Sequence, residues 1–399
     1  MAGKKQNMLC HPSVNFTKGY IKSASKQLGI INKYTLEDQI WIYELHSQIQ
    51  RRAKNRCVLK GGAATQLHLP LELQRLTADI DCATDLSRKE LERIIRSIKE
   101  DFNKGGIHCS YKEYIPREVQ IHGRTIPMMT FIFHIPFVFN SWKRQRYPGL
   151  KIDFLFLDLK ELHTVRLSKC KALGLELSYK PIVIDKYSTI SDKFLTLAPN
   201  LSGLEKTQLD RIYKNIYDLY CLINSNNDLE SFIIISERIK ESLEQEIKMK
   251  NAYPISIKTF LDDILYNTYD IATFSLVKNH SELPVQILRF QEASMPEQNR
   301  QILGTDMWSI MALFLYIWVF ALKTYIIEEN YYKLEAINIV IEEYEYYKSL
   351  GKKERRHFKR ALKARISSKD SLLNLEGTGH PLRLICLDYI LSNMKPSTL

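Results

Sequence analysis

Arg75-Leu76-Thr77-Ala78-Asp79-Ile80-Asp81-Cys82-Ala83 alternates polar and apolar side chains from its first residue to Cys82. A period of two predicts a β-strand over residues 75–83, because successive side chains of a strand point to opposite faces. Arg75, Thr77, Asp79 and Asp81 then share one face, and Leu76, Ala78 and Ile80 the other. The apolar back suits a core, and two carboxylates stand in front. Such a face suits one or two magnesium ions, which take oxygen ligands together with substrate phosphates.

The upstream flank adds a phosphate-friendly turn. Cys57-Val58-Leu59 reads as a short buried strand stopped by Gly61-Gly62, with a short helix through Ala63, Ala64 and Leu67 behind it. Glycines let backbone N–H groups approach a phosphate, and a helix N-terminus favours the anion. Further upstream, Thr35-Leu36-Glu37-Asp38 resembles a capping box, and Leu36, Ile40, Leu45 and Ile49 continue at helical spacing into the basic cluster Arg51, Arg52, Lys54 and Arg56.

Downstream, Ser87-Arg88-Lys89-Glu90 is a second capping box, with Leu91, Ile94, Ile95, Ile98 and Phe102 on one face of the helix it opens. Thr130–Phe139 and Lys151–Leu159 are β-prone, and Pro136 marks the first as an edge or a bulge. Trp142–Pro148 between them predicts a basic, aromatic turn. Asp153 sits among Ile152, Phe154, Leu155 and Phe156, where a carboxylate must be paired, liganded or at an edge. As a third carboxylate it would complete a two-metal arrangement and help take the proton from an attacking hydroxyl. Asp158, His108, His122 and His134 read as structural.

Beyond about residue 190 helical periodicity replaces strand signals, over Asp228–Lys250, Ser256–Asn279, Asp306–Glu328 and Asn330–Ser349. The expected organisation is an N-terminal extension over 1–34, a catalytic domain over 35–227 and a helical domain over 228–399. The uncharged run Met307–Leu322 is shorter than the roughly 20 residues a membrane span needs and reads as a buried helix. No membrane association is expected.

Of 399 residues, 45% are hydrophobic and 26% charged, enough to bury a large core. The formal net charge of +12 points to a polyanionic partner, nucleic acid being the commonest. The seven cysteines are odd in number, widely spaced and free of CxxC pairs, so the spacing indicates neither a disulfide framework nor a zinc site. A reducing compartment fits best. The opening MAGKKQNMLCHPSVNF has no apolar core of signal-peptide length, and a cytoplasmic protein is expected.

Leu59-Lys60-Gly61-Gly62-Ala63-Ala64, followed by Arg75-Leu76-Thr77-Ala78-Asp79-Ile80-Asp81, resembles the first motif of the AbiEii/AbiGii abortive-infection nucleotidyltransferase toxins. That motif is a Gly-Gly or Gly-Ser turn and then Arg-x-Thr-x-Asp-x-Asp. Asp153 is similar to the isolated aspartate of the second motif. Ser191-Asp192-Lys193-Phe194-Leu195 resembles the third, a lysine on a helix. Arg211-Ile212-Tyr213-Lys214-Asn215-Ile216-Tyr217-Asp218 resembles the fourth, Arg-x-Lys-Asp-x-x-Asp. There Asn215 replaces an aspartate, and Arg211 lies one residue farther from Lys214 than the pattern has it.

The resemblance spans residues 55–225 and implies an α+β, polymerase-β-like core that uses NTP with Mg2+ or Mn2+. It also implies a toxin of antiviral defence, opposed by a separately encoded antitoxin. Some relatives are associated with GTP binding, and others transfer pyrimidine nucleotides to the 3′ end of tRNA. It makes Asp79, Asp81 and Asp153 the catalytic metal ligands, with Gly61, Gly62, Arg75, Thr77, Lys193, Lys214 and Asp218 binding the nucleotide. The two lysines suit triphosphate oxygens, because a flexible ammonium neutralises charge without fixed geometry. Lys214 and Asp218, four apart on a helix, are placed to pair.

Lys352–Arg365 holds eight basic residues against the single acid Glu354. On a helix, Lys352, Arg355, Arg356, Lys359 and Lys363 would form one stripe, and RNA contact is expected through Arg355, Arg356, Lys359 and Lys363. The function expected is transfer of a nucleoside monophosphate from NTP to an RNA acceptor, a tRNA 3′ end, with release of pyrophosphate. Two rivals stand beside it: transfer to a protein hydroxyl, and a toxin that holds GTP without turnover.

Overall fold

Among the described residues, helices and strands mix up to Ile184, and the elements that follow are helices. The computed structural model describes residues 8–115, 126–139, 149–201, 209–226, 228–250, 254–273, 285–330, 335–375 and 379–394. The turn expected at Trp142–Pro148 and His122 lie outside the described residues. Two compact units are present. One is built on the residues up to Thr189 with Gln291–Asn299 and a few residues near Lys250, and the other on the remainder from Ile190.

The first unit contains α1 (Lys18–Gln27), α2 (Lys33–Ala53), β1 (Cys57–Lys60), α3 (Gly61–His68), β2 (Asp79–Thr84), α4 (Arg88–Lys104), β3 (Ser110–Tyr114), β4 (Met128–His134) and β5 (Leu150–Phe156). β6 (Thr164–Arg166), the small pair β7 (Lys171–Ala172) and β8 (Leu175–Glu176), and β9 (Ile182–Ile184) follow. Seven strands form one mixed sheet in the order β3-β4-β5-β2-β1-β9-β6. β2 runs parallel to β5 and β1 parallel to β9, while the other neighbours are antiparallel.

The acidic strand begins later than its alternation suggests. β2 starts at Asp79, where its partner β5 supplies Lys151 opposite, and residues 75–78 have no ladder to join. Side chains and a distant carbonyl take over there: Arg75 N donates to Gln66 Oε1, Thr77 N to Gln39 Oε1 and Leu76 N to Ser294 O. The first long helix likewise begins at Lys33 rather than Thr35, because Asn32 is its cap and accepts from the backbone N–H of Tyr34 and Thr35. β4 stops at His134, ahead of Pro136, which has no N–H to give a ladder.

Leu36, Ile40, Leu45 and Ile49 of α2 are fully buried, as are Leu91, Ile95, Ile98 and Phe102 of α4. These faces form one core with the apolar side of the sheet, through Ile80, Cys82, Ile152 and Phe154.

α5 (Lys186–Leu195) leads from the first unit into the second, and the chain continues with α6 (Leu209–Asn224), α7 (Leu229–Lys250), α8 (Ile257–Thr273), α9 (Val285–Ser294), α10 (Glu297–Ile302), α11 (Thr305–Glu328), α12 (Glu335–Ser349), α13 (Lys352–Lys369) and α14 (Pro381–Asn393), of which the end of α7, the end of α9 and the start of α10 count with the first unit. α11 is long and apolar enough to cross a membrane, yet 72% of its most apolar window is buried in the structure. Its Trp318 stacks on Phe194 at 5.3 Å, and Trp308 and Leu315 are buried with it. It is the core helix of this unit.

Candidate metal centre

Register places the acidic side chains. Asp81 of β2 lies opposite Asp153 of the parallel strand β5, Lys60 of β1 lies opposite Asp81, and Thr130 of β4 lies opposite Asp153. A single row therefore crosses four strands as Lys60, Asp81, Asp153, Thr130. Neighbouring strands lie about 4.8 Å apart, so the two carboxylates face one small volume. Asp79 shares their face, is exposed and stands opposite Lys151, while Asp81 and Asp153 are half-buried.

Asp153 is held from both sides. Thr130 Oγ1 donates to Asp153 Oδ1 at 2.6 Å, and Lys151 Nζ to Asp153 Oδ2 at 2.6 Å. Burial works to lower the Lys151 pKa. The Asp153 hydrogen bond and the charges of Asp153, Asp79 and Asp81 outweigh it, and the pKa is raised. An ammonium drawn among three carboxylates shows that this face attracts positive charge. An all-oxygen donor set of this kind fits a hard divalent cation.

Gly61 closes the row on the other side. It adopts φ +63°, and a Cβ built there would lie 1.9 Å from Asp81 Oδ2. Only glycine fits between the β1–α3 turn and the carboxylate. Gly62, the next residue of α3, is buried. Arg75 and Thr77 are buried as well, and one Arg75 guanidinium nitrogen donates to Leu76 O at 3.0 Å.

In the second unit, Lys193 Nζ pairs with Asp218 Oδ2 at 2.7 Å and donates to Asn215 Oδ1 at 3.1 Å. The pair is almost wholly buried. Residues taken from two separate helical motifs are thus joined, and Asn215, which departs from the family pattern, is one of the partners. Asp218, four residues from the half-buried Lys214 on the same helix, is paired with Lys193.

The family model for the nucleotidyl transferase AbiEii toxin of type IV toxin–antitoxin systems matches residues 48–311, well over half of the chain. The chain belongs to that family. This AbiEii-family protein is accordingly a nucleotidyltransferase and a toxin, and the family implies a separate antitoxin and an NTP substrate. Among solved structures it is similar to an antigenic nucleotidyltransferase-like protein from Paracoccidioides brasiliensis, at 12% identity and TM-score 0.31, over 54% of this chain and 93% of that one. It is also similar to a candidate nucleotidyltransferase from H. pylori, at 14% identity and TM-score 0.34, over 73% and 96%. No curated protein matches the chain.

Sequence reasoning passed over two residues that hold Asp153, Lys151 and Thr130. Lys151 carried a usable signal, since a residue two positions from Asp153 on a strand shares its face. Thr130 carried none, because cross-strand register is not written in either strand alone. On α13, Leu362 and Ile366 anchor the helix in the core. Lys359 Nζ donates to Gly379 O and Lys363 Nζ to Leu375 O, both at 2.7 Å, and Arg355 reaches Lys348 O. Lys352, Lys353, Arg356 and Arg360 are exposed or half-exposed.

Proposed function

We propose that this toxin transfers a nucleoside monophosphate from an NTP to the 3′ end of an RNA, a tRNA in the favoured case, with Asp79, Asp81 and Asp153 as the ligands of Mg2+ or Mn2+. The observation that carries the reading is the in-register pair Asp81 and Asp153 on adjacent parallel strands, with Gly61 tight against the first. A divalent cation bound there would supply charge neutralisation for the phosphates and a more acidic acceptor hydroxyl.

The chain's own groups do the rest in this reading. Asp153, fixed by Thr130 and Lys151, keeps a second lone pair on each oxygen to orient the acceptor hydroxyl and take up its proton. The hydroxyl oxygen bonds to the α-phosphorus, the bond to the β-phosphate breaks, and pyrophosphate leaves. Gly61 and Gly62, at the start of α3, offer backbone N–H groups to the triphosphate. Arg75, Thr77, Lys193, Lys214 and Asp218 bind the nucleotide in this reading. The functional catalytic domain in this reading runs over 35–227, past the end of the first compact unit.

RNA as acceptor is supported by the net charge and by a cleft of about 490 Å³ on the second unit. It is lined by Tyr347, Leu350, Lys352, Arg355, Arg356 and Lys359, which combine a stacking surface with phosphate-binding cations. The seven cysteines are all free, in keeping with a cytoplasmic toxin acting in antiviral defence.

The test uses purified protein, Mg2+, each labelled NTP in turn and total RNA. Label is expected in RNA, and Asp79→Asn or Asp81→Asn is expected to abolish it while Tm holds or rises, since a repelling carboxylate is gone. Expression should halt growth, and Asp81→Asn should restore it. Label in protein would move the acceptor to a hydroxyl side chain. Binding without label would favour a toxin that holds GTP unchanged.

A further inference from the structure

β2 carries Asp81 on one face of the sheet and Cys82 on the other. On that second face α2 packs against β1 and β2. There a ring nitrogen of His46, Cys57 Sγ and Cys82 Sγ all lie within 4.8 Å of one another, in full burial. We propose that His46, Cys57 and Cys82 form a second metal site, for Zn2+, distinct from the carboxylate centre and independent of its function.

The state of the imidazole supports this. His46 Nδ1 lies 2.7 Å from Tyr179 Oη, whereas Nε2 is buried with no hydrogen-bond partner. An orphaned buried nitrogen is costly unless something accepts its lone pair. A metal-binding histidine has this arrangement, with one nitrogen fixed by an outer partner and the other left to the ion.

Size and charge select the ion. Zn–S bonds of about 2.3 Å and Zn–N bonds of about 2.0 Å put tetrahedral ligand atoms roughly 3.5 Å apart, a spacing inside the 4.8 Å within which the three groups already lie. Two thiolates and Zn2+ sum to neutrality, which a dry interior tolerates. Cu+ would leave a net negative charge there, and hard cations prefer oxygen donors. Because the ligands come from one helix and two strands, no CxxC pair advertises them, and sequence spacing pointed away from zinc.

Such a site would pin α2 to β1 and β2 directly behind Asp81. The experiment is elemental analysis and zinc-edge X-ray absorption on the full-length protein after growth with zinc and dialysis. About one zinc per chain with directly bound sulfur is expected. Cys57→Ala and Cys82→Val should each reduce zinc to near zero, while Asp81→Asn keeps it. Three results would overturn the proposal: a zinc-free wild type that also fails to take up added zinc, a shell of oxygen and nitrogen alone, or a Cys57–Cys82 disulfide in the intact protein. Should the cysteine variants fail to fold, the wild-type absorption spectrum still decides the ligand set.

Discussion

Gly61 meets Asp81 so closely that Gly61→Ala combines a left-handed backbone with a collision. A loss of about 1–3 kcal/mol is expected in urea unfolding, with a larger proportional loss of transfer activity because Asp81 must shift. An alanine variant of full activity would show that the close approach does not matter. Asp153→Asn keeps shape and loses the anion. It should lower kcat on the order of 10²-fold or more while KM for NTP changes little; a change confined to KM would place Asp153 in nucleotide recognition. The Lys193–Asp218 pair allows a separation of roles. Asp218→Ala strands a buried ammonium and should cost about 3–5 kcal/mol, whereas Lys193→Met with Asp218→Leu should unfold close to wild type. NTP affinity retained by that folded double variant would remove Lys193 from the phosphate site. The three aspartates were legible in the sequence because charged residues on apolar strands demand a reason. Thr130 was not, since its partner Asp153 is set by strand register and not by chain position.

At the scale of elements, short-range chemistry was readable and long-range pairing was not. The Ser87–Glu90 box forms as its spacing predicts: Glu90 N donates to Ser87 Oγ, Ser87 N to Glu90 Oε2, and Arg56 reaches Glu90 Oε1 at 2.8 Å. The Ser87 hydroxyl and backbone N–H, and then Arg56, lower the Glu90 pKa to about 2. A folded pKa below the unfolded value of about 4.3 gives stability that is present above that value and lost as pH falls toward 2. Glu90→Gln should therefore lower Tm near pH 6, and the difference from wild type should shrink steadily toward pH 2; a pH-independent difference would mean that packing, not charge, is lost. Elsewhere local reading met its limit. Residues 75–78 alternate like a strand but join no ladder, their backbone N–H groups turning instead to Gln66, Ser294 and Gln39, and Asn32 outcompetes Thr35 as a cap because its amide oxygen accepts two backbone N–H groups. Ile182–Ile184 is too short to show a period, and its place beside β1 comes from the parallel ladder alone.

At the scale of the whole molecule, the excess positive charge is the property that RNA would meet first. Lys352 and Arg356 lie on α13, and replacing both with Glu should weaken RNA binding and flatten its salt dependence by about one unit for each phosphate no longer neutralised. NTP binding by the protein without RNA should stay the same. An unchanged salt slope would make the stripe a solvated face and send the search to Arg51 and Arg52. The order of the strands carries a different consequence, one for the cell that makes this protein. Asp79 and Asp81 leave the ribosome well before β5, and their strand meets Asp153 only through a parallel pairing, which no short turn can close. Such non-local ladders form late. A nascent chain stopped before Leu150 holds two of the three proposed donors, on a strand that has β1 but not β5 to pair with, so in the proposed reading the centre is incomplete until the sheet closes. The topology that slows folding also delays the poison.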